Sequence, residues 1–312
     1  MKSALLFACA MWSAFNLSGF AQPPAWQPGP EHQTLPLWPG AAPGTSGSNA
    51  ESQAPEVDTT KPEQPLIAGR KIIRLGNVSR PTLTVYSPAG NNNGAAVVVF
   101  PGGGYQILAI DLEGTEVCDW LNGIGVTCVL VKYRVPNSGP FPKSAAALQD
   151  AQRALGLVRE HAGEWHIDPH RVGVLGFSAG AHLSAALSTH YEQRLYNAVD
   201  PADKQSCRPD FAVIVYPGYL AIAEKGLEPN PEIHPTAETP PTFILQAEDD
   251  PVHVENAVVY FSELKTAKVP AELHIYAQGG HGYGLRRTAL PVTAWPQLVE
   301  TWLHTINMLP AK

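Results

Sequence analysis

The sequence predicts an α/β fold, a mostly parallel eight-stranded sheet wound with helices on both faces. Three observations carry that expectation. From residue 70 onward, short β-branched runs alternate with segments of helical period. Runs such as Ala95-Ala96-Val97-Val98-Val99-Phe100 are apolar throughout, as strands buried on both faces must be. Residues able to do chemistry cluster just past several of these runs, where open α/β sheets carry their sites. Taken in order, the expected strands are 71–75, 82–86, 95–100, 126–133, 171–177, 211–216, 242–246 and 272–276. The helical segments between and after them are 114–122, 143–162, 179–191, 254–268 and a closing 294–307. Residues 66–312 are therefore expected to form one domain.

The rest of the chain reads differently. Residues 1–21 have the form of a signal peptide: Lys2 gives a positive start, Ala4 to Ala14 an apolar stretch, and Gly19-Phe20-Ala21 small residues at −3 and −1. Cleavage after Ala21 and a secreted or periplasmic destination are expected. A lipoprotein reading at Cys9 is set aside, because the apolar run before it is too short. No later stretch approaches the ~18 apolar residues of a membrane span. Residues 22–65 are Pro-rich, with Trp26, Trp38 and a Pro/Gly turn over 38–44, and are expected to form an extended arm without regular structure.

Composition excludes other classes. Of 312 residues, 44% are hydrophobic, and 30 prolines with 27 glycines stay below the low-complexity range. A net charge of −7 and the lack of any basic run exclude a nucleic-acid partner, since such binding requires Lys and Arg against phosphates. Without Cys9, three cysteines remain, so at least one is free. Cys118 and Cys128 either bridge a helix to the next strand or lie as buried thiols beside Cys207. Their spacing offers no CxxC site.

Three motifs fall at the ends of expected strands. Gly176-Phe177-Ser178-Ala179-Gly180 sits between a strand and a helix, the setting of a nucleophile elbow, in which flanking glycines allow the sharp turn that presents a serine hydroxyl. The plainer reading is a glycine-rich turn whose serine caps the helix. Pro101-Gly102-Gly103-Gly104-Tyr105 follows the 95–100 strand, and its glycines allow backbone N–H groups to approach a developing oxyanion. A dinucleotide fingerprint fails there, because Ile107 stands where a third glycine is needed. Among eleven histidines, His281 lies in Gln278-Gly279-Gly280-His281-Gly282-Tyr283-Gly284, just past the last strand. His182, one turn after Ser178, is carried away from the elbow and is expected in the core. His161, Glu164, His166 and His170 mimic a metal cluster but straddle a helix end and the Asp168-Pro169 turn. Glu248, Asp249 and Asp250 all follow the 242–246 strand as candidate acids to orient a histidine.

These elements, together with Tyr133-Arg134-Val135-Pro136 and Asp150-Ala151-Gln152-Arg153, resemble the α/β-hydrolase esterases over about residues 35–307. The resemblance is to the secreted bacterial branch related to acetylxylan esterases and to hormone-sensitive-lipase-like carboxylesterases. It implies an α/β-hydrolase fold with a minimal cap, and the chain order Ser178, Asp250, His281 as nucleophile, orienting acid and general base. It also implies Gly103, Gly104 and Ala179 as oxyanion donors, with no metal or organic cofactor. One departure stands out: the histidine usual before the glycine triplet is Pro101 here. The 217–241 connection, broken by Pro229, Pro231 and Pro235, is too short for a large helical lid. Tyr105, Tyr219, Tyr283 and Trp295 are expected to line a sugar-binding rim. The expected substrate is a small ester or an acetylated polysaccharide such as xylan. Rival readings are a general carboxylesterase or lipase-like enzyme, an exported serine peptidase, and a noncatalytic binding protein on the same fold.

Overall fold

The computed structural model describes residues 25–44, 54–222 and 225–310; the expected signal peptide lies outside them. In chain order the elements begin with β1 (Gln33–Pro36), β2 (Val57–Asp58), β3 (Arg74–Gly76), β4 (Thr82–Tyr86), β5 (Ala96–Phe100), β6 (Ile107–Ala109) and α1 (Glu116–Gly123). They continue with β7 (Thr127–Lys132), α2 (Ala145–Glu160), β8 (Val172–Phe177), α3 (Ala179–Thr189), β9 (Ala212–Val215), β10 (Thr242–Ala247), α4 (Glu255–Thr266), β11 (Ala271–Tyr276) and α5 (Trp295–Thr305). Eight strands make one sheet in the order β1-β4-β7-β5-β8-β9-β10-β11. The stretch from β7 to β11 is parallel, while β4 runs antiparallel to both its neighbours. Every residue of β5, β7, β8, β9 and β10 is buried, so these apolar runs are covered on both faces. Among the described residues no helix is long and apolar enough to cross a membrane.

Two strand expectations are corrected by this topology. The 71–75 run does not join the main sheet: β3 pairs antiparallel with β2 and β6 in a separate three-stranded sheet. The eighth strand of the main sheet comes instead from the Pro-rich arm, where β1 pairs antiparallel with β4, Gln33 opposite Val85 and Pro36 opposite Thr82. A proline at the end of an edge strand forfeits no ladder bond on its open side. Past β1 the chain is latched by burial of Leu37 and Trp38. The Trp38 indole donates to Asp150 at 2.8 Å, and its ring lies 5.9 Å from the guanidinium of Arg134 and 5.9 Å from that of Arg153. Arg134 in turn pairs with buried Asp150 at 2.9 Å. These contacts are distant in sequence, so local composition gave no sign of them.

Cys118 on α1 and Cys128 on β7 form a disulfide, and Cys207 is free and buried. His161 pairs with Glu164 at 2.9 Å and stacks on Trp165.

Candidate active site

The parallel sheet brings the loops after β5, β8, β9, β10 and β11 to one edge, and the candidate residues stand on them. Ser178 occupies the turn between β8 and α3 with φ 52° and ψ −117°, a conformation that non-glycine residues adopt only where the surroundings enforce it. The enforcement is steric. A Cβ on Gly180 would lie 2.0 Å from the Phe100 carbonyl oxygen, so only glycine lets α3 begin this close to the end of β5.

His281 Nε2 is 2.9 Å from Ser178 Oγ, and His281 Nδ1 is 2.9 Å from Asp250 Oδ2. Of the three candidate acids, Glu248 and Asp249 are exposed and Asp250 is buried. Asp250 is held on both oxygens: Oδ1 accepts the Val252 N–H at 2.7 Å, and Oδ2 accepts the Gln246 amide at 3.1 Å besides the imidazole. Asp249 has a different task, since its Oδ1 accepts the N–H groups of Gly279 and Gly280 at 2.9 and 2.7 Å. It thereby tethers the loop that carries His281.

The expected oxyanion donors lie on the loop between β5 and β6 and at the first residue of α3. Gly103 has φ 134°, and a Cβ there would sit 2.1 Å from the Ile107 carbonyl oxygen, so this turn also requires glycine. The loop is pinned through its carbonyls, Gly103 accepting from Gln106 and Gly102 from Ala109. Beside it opens a cleft of about 360 Å³ lined by Gly104, Ser178, Tyr219, Ala221, Val252 and His253, among others. The 217–241 connection forms one wall of this cleft and contains no α-helix among its described residues. Asn256 braces that wall, its Oδ1 accepting from Leu220 and Ala221 while its Nδ2 donates to Val252 and His253.

The aromatic rim is corrected: of the four residues expected there, only Tyr219 lines the cleft. Trp295 is fully buried, its indole donating to the Gly284 carbonyl at 2.8 Å and its ring packed on Trp120 and Phe177. Tyr283 is buried against Tyr216, and that burial raises its phenol well above the usual range. Tyr105 is buried too, with its hydroxyl 2.7 Å from Nδ1 of His182. His182 continues through Nε2 to Glu232 at 2.7 Å, so it holds the glycine loop to the 217–241 connection and does not face the serine hydroxyl. An aromatic residue near a motif in sequence says little about the direction in which its ring points. Sequence reading missed Asn256, Glu113 and Tyr216, none of which sits in a recognisable pattern.

A serine on a strand–elbow–helix turn, in line with a histidine and a buried aspartate at the C-terminal edge of a parallel sheet, is the arrangement of the α/β hydrolases. The chain belongs to that family: residues 97–234 match the model described as the alpha/beta hydrolase fold. Its relatives include named esterases. An acetylxylan esterase of Xylanibacter ruminicola is 32% identical over 218 residues, which span 62% of this chain and 42% of that protein. Endo-1,4-beta-xylanase B of Butyrivibrio fibrisolvens is 28% identical over 65% of this chain and 34% of its own length. The chain thus spans less than half of either relative. Among solved structures, an acetyl ester-xyloside bifunctional hydrolase from Caldicellulosiruptor lactoaceticus aligns with a TM-score of 0.68 at 34% identity, covering 89% of this chain and 97% of that one.

Proposed function

We propose that this protein is an exported serine esterase that removes short acyl groups, acetyl above all, from a carbohydrate such as acetylated xylan. The observation that carries the reading is the hydrogen-bonded line Asp250–His281–Ser178, with both links at 2.9 Å, ending at a cleft beside the glycine loop. In this reading, Ser178 Oγ attacks the ester carbonyl carbon while its proton passes to His281 Nε2. The carbonyl π electrons move onto oxygen, and the N–H groups of Gly103, Gly104 and Ala179 receive that oxyanion, each donor contributing roughly 2.7–4 kcal/mol. Collapse of the intermediate breaks the bond to the alkoxy oxygen, which takes the proton from His281 and leaves as the alcohol. Water then attacks the acyl-enzyme by the same route, returning the proton to Ser178 and releasing the acid. Asp250 holds the imidazole with Nδ1 protonated throughout.

A short acyl group and a polar alcohol are favoured by the cleft. Its volume lies near the lower end of the range for small-molecule sites, roughly 300–1,000 Å³. Tyr219, Ala221 and Val252 offer an apolar wall of limited extent, with His253 and Glu255 beside it. Of the relatives named above, one is by its name an acetylxylan esterase, one an acetyl ester-xyloside hydrolase and one a xylanase, and an exported enzyme would meet such polymers. Labelling with a fluorophosphonate probe, followed by mapping of the labelled peptide and assay of acetate release from acetylated xylan, tests the reading. Label at Ser178 together with acetate release is expected. Absence of label would favour a noncatalytic binding protein, and label without acetate release would move the substrate to another ester or to a peptide.

A further inference from the structure

Pro101 opens the glycine loop and has no N–H to anchor it. Its carbonyl is held by the Tyr133 hydroxyl, and the first N–H of the loop, that of Gly102, points into the protein at Glu113. Glu113 lies in a π-helical turn, Asp111–Thr115, that leads into α1, and it is buried. One carboxylate oxygen accepts from Gly102 at 2.7 Å and the other from the Tyr216 hydroxyl at 2.8 Å. Tyr216 is the first residue past β9 and is buried with φ 37°. Its oxygen also accepts the Gly284 N–H at 3.2 Å, and its ring stands edge-on to His281 with centroids 5.0 Å apart. A single carboxylate therefore joins the loop that carries the oxyanion donors to the loop that carries the histidine.

We infer that Glu113 is a positioning residue for the esterase reaction proposed above, acting through Gly102 on the oxyanion loop and through Tyr216 on His281. A buried carboxylate is costly unless its oxygens are satisfied, and here one partner belongs to the oxyanion loop while the other, Tyr216, holds the loop that carries His281 through Gly284. Burial raises the Glu113 carboxyl, opposed by the Tyr216 and Gly102 bonds and by its attraction to a protonated His281. His281 is also bonded to Asp250 from the loop after β10 and to Ser178 from the elbow.

The test uses Glu113→Gln, Tyr216→Phe and their combination in the full chain, with p-nitrophenyl acetate as substrate and fluorophosphonate titration to count active sites. The change to glutamine keeps the size of the side chain, but an amide nitrogen cannot accept the bond that the lost carboxylate oxygen accepted. Each single variant is expected to lower kcat per titrated site by ~10–100-fold with KM changed less than ~3-fold, and the double variant to fall little further, as members of one network do. A merely structural role predicts fewer titratable sites with kcat per site unchanged, and that result would overturn the inference. If Glu113→Gln does not fold, full kcat in Tyr216→Phe overturns it equally. An inactive wild-type protein, or an active Ser178→Ala, would refute the esterase reading and this inference with it. An active wild type, a dead Ser178→Ala and a normal Glu113→Gln would refute the inference alone.

Discussion

Asp250→Asn changes one atom, and its cost follows from the three groups around that carboxylate. Oδ1 faces the Val252 N–H at 2.7 Å, whereas Oδ2 faces His281 Nδ1 and the Gln246 amide at 2.9 and 3.1 Å. An asparagine has one oxygen and one NH₂ to offer. If the oxygen stays on Val252, the NH₂ confronts the Gln246 donor and forces Nδ1 of His281 to accept. The imidazole proton then sits on Nε2, and His281 cannot take a proton from Ser178. If the amide flips, its NH₂ faces the Val252 N–H, and two buried donors meet at a cost of about 1–3 kcal/mol. The Gln246 side chain can turn away from such a clash whereas the backbone N–H of Val252 cannot, so the wrong tautomer is the cheaper arrangement, and a fall in kcat of about 10⁴ is expected, equivalent to about 5.4 kcal/mol of barrier. Asp249→Asn behaves otherwise, because a carbonyl oxygen can still accept both the Gly279 and Gly280 N–H groups. Its kcat should stay within about 3-fold of wild type, the loss of one exposed charge being worth well under 1 kcal/mol. Steady-state hydrolysis of p-nitrophenyl acetate, normalised by active-site titration, compares the two. A larger loss in Asp249→Asn, or less than a 100-fold loss in Asp250→Asn, would refute this assignment of roles.

Ser178→Ala should fold with an unchanged circular dichroism spectrum yet lose ester hydrolysis by several orders of magnitude; retention of more than a few per cent would remove Ser178 as nucleophile. With no α-helical roof among the described residues of 217–241, p-nitrophenyl acetate should exceed the octanoate in kcat/KM by at least ~10-fold, about 1.4 kcal/mol of transition-state binding. A maximum at C8 or longer across a C2–C12 series would mean a deep acyl pocket and point to a lipase. Replacing Cys118 and Cys128 together by alanine should reduce stability by ~3 kcal/mol, the chain entropy released by opening a loop with a sequence separation of 10. Urea unfolding measures it, and an unchanged midpoint would show that the bridge constrains nothing the fold does not already hold.

The elements that could be read from the sequence are those whose signal is local. The apolar runs that became β5, β7, β8, β9 and β10 could only be strands buried on both faces, and the five helical periods lie within a few residues of α1 to α5. The glycines around Ser178 and in the 102–104 triplet mark sharp turns because a turn of that shape excludes a Cβ wherever the chain is found. His281 drew attention through its glycine-rich setting just past a strand. Where an answer depended on a partner far along the chain, the same reading fell short. Nothing in Gln33–Pro36 foretells a strand, because its pairing comes from the open edge of β4 and its latch from Trp38 between two arginines. Three adjacent acids are equivalent on paper; burial and the direction of each side chain separate Asp250, against the imidazole, from Asp249, against two glycine N–H groups. Tyr105, Tyr283 and Trp295 looked like a rim but are core, since a ring's orientation is set by the packing around it. Glu113 carried no signal at all, for its importance consists of two hydrogen bonds to loops that meet only when the sheet has aligned them.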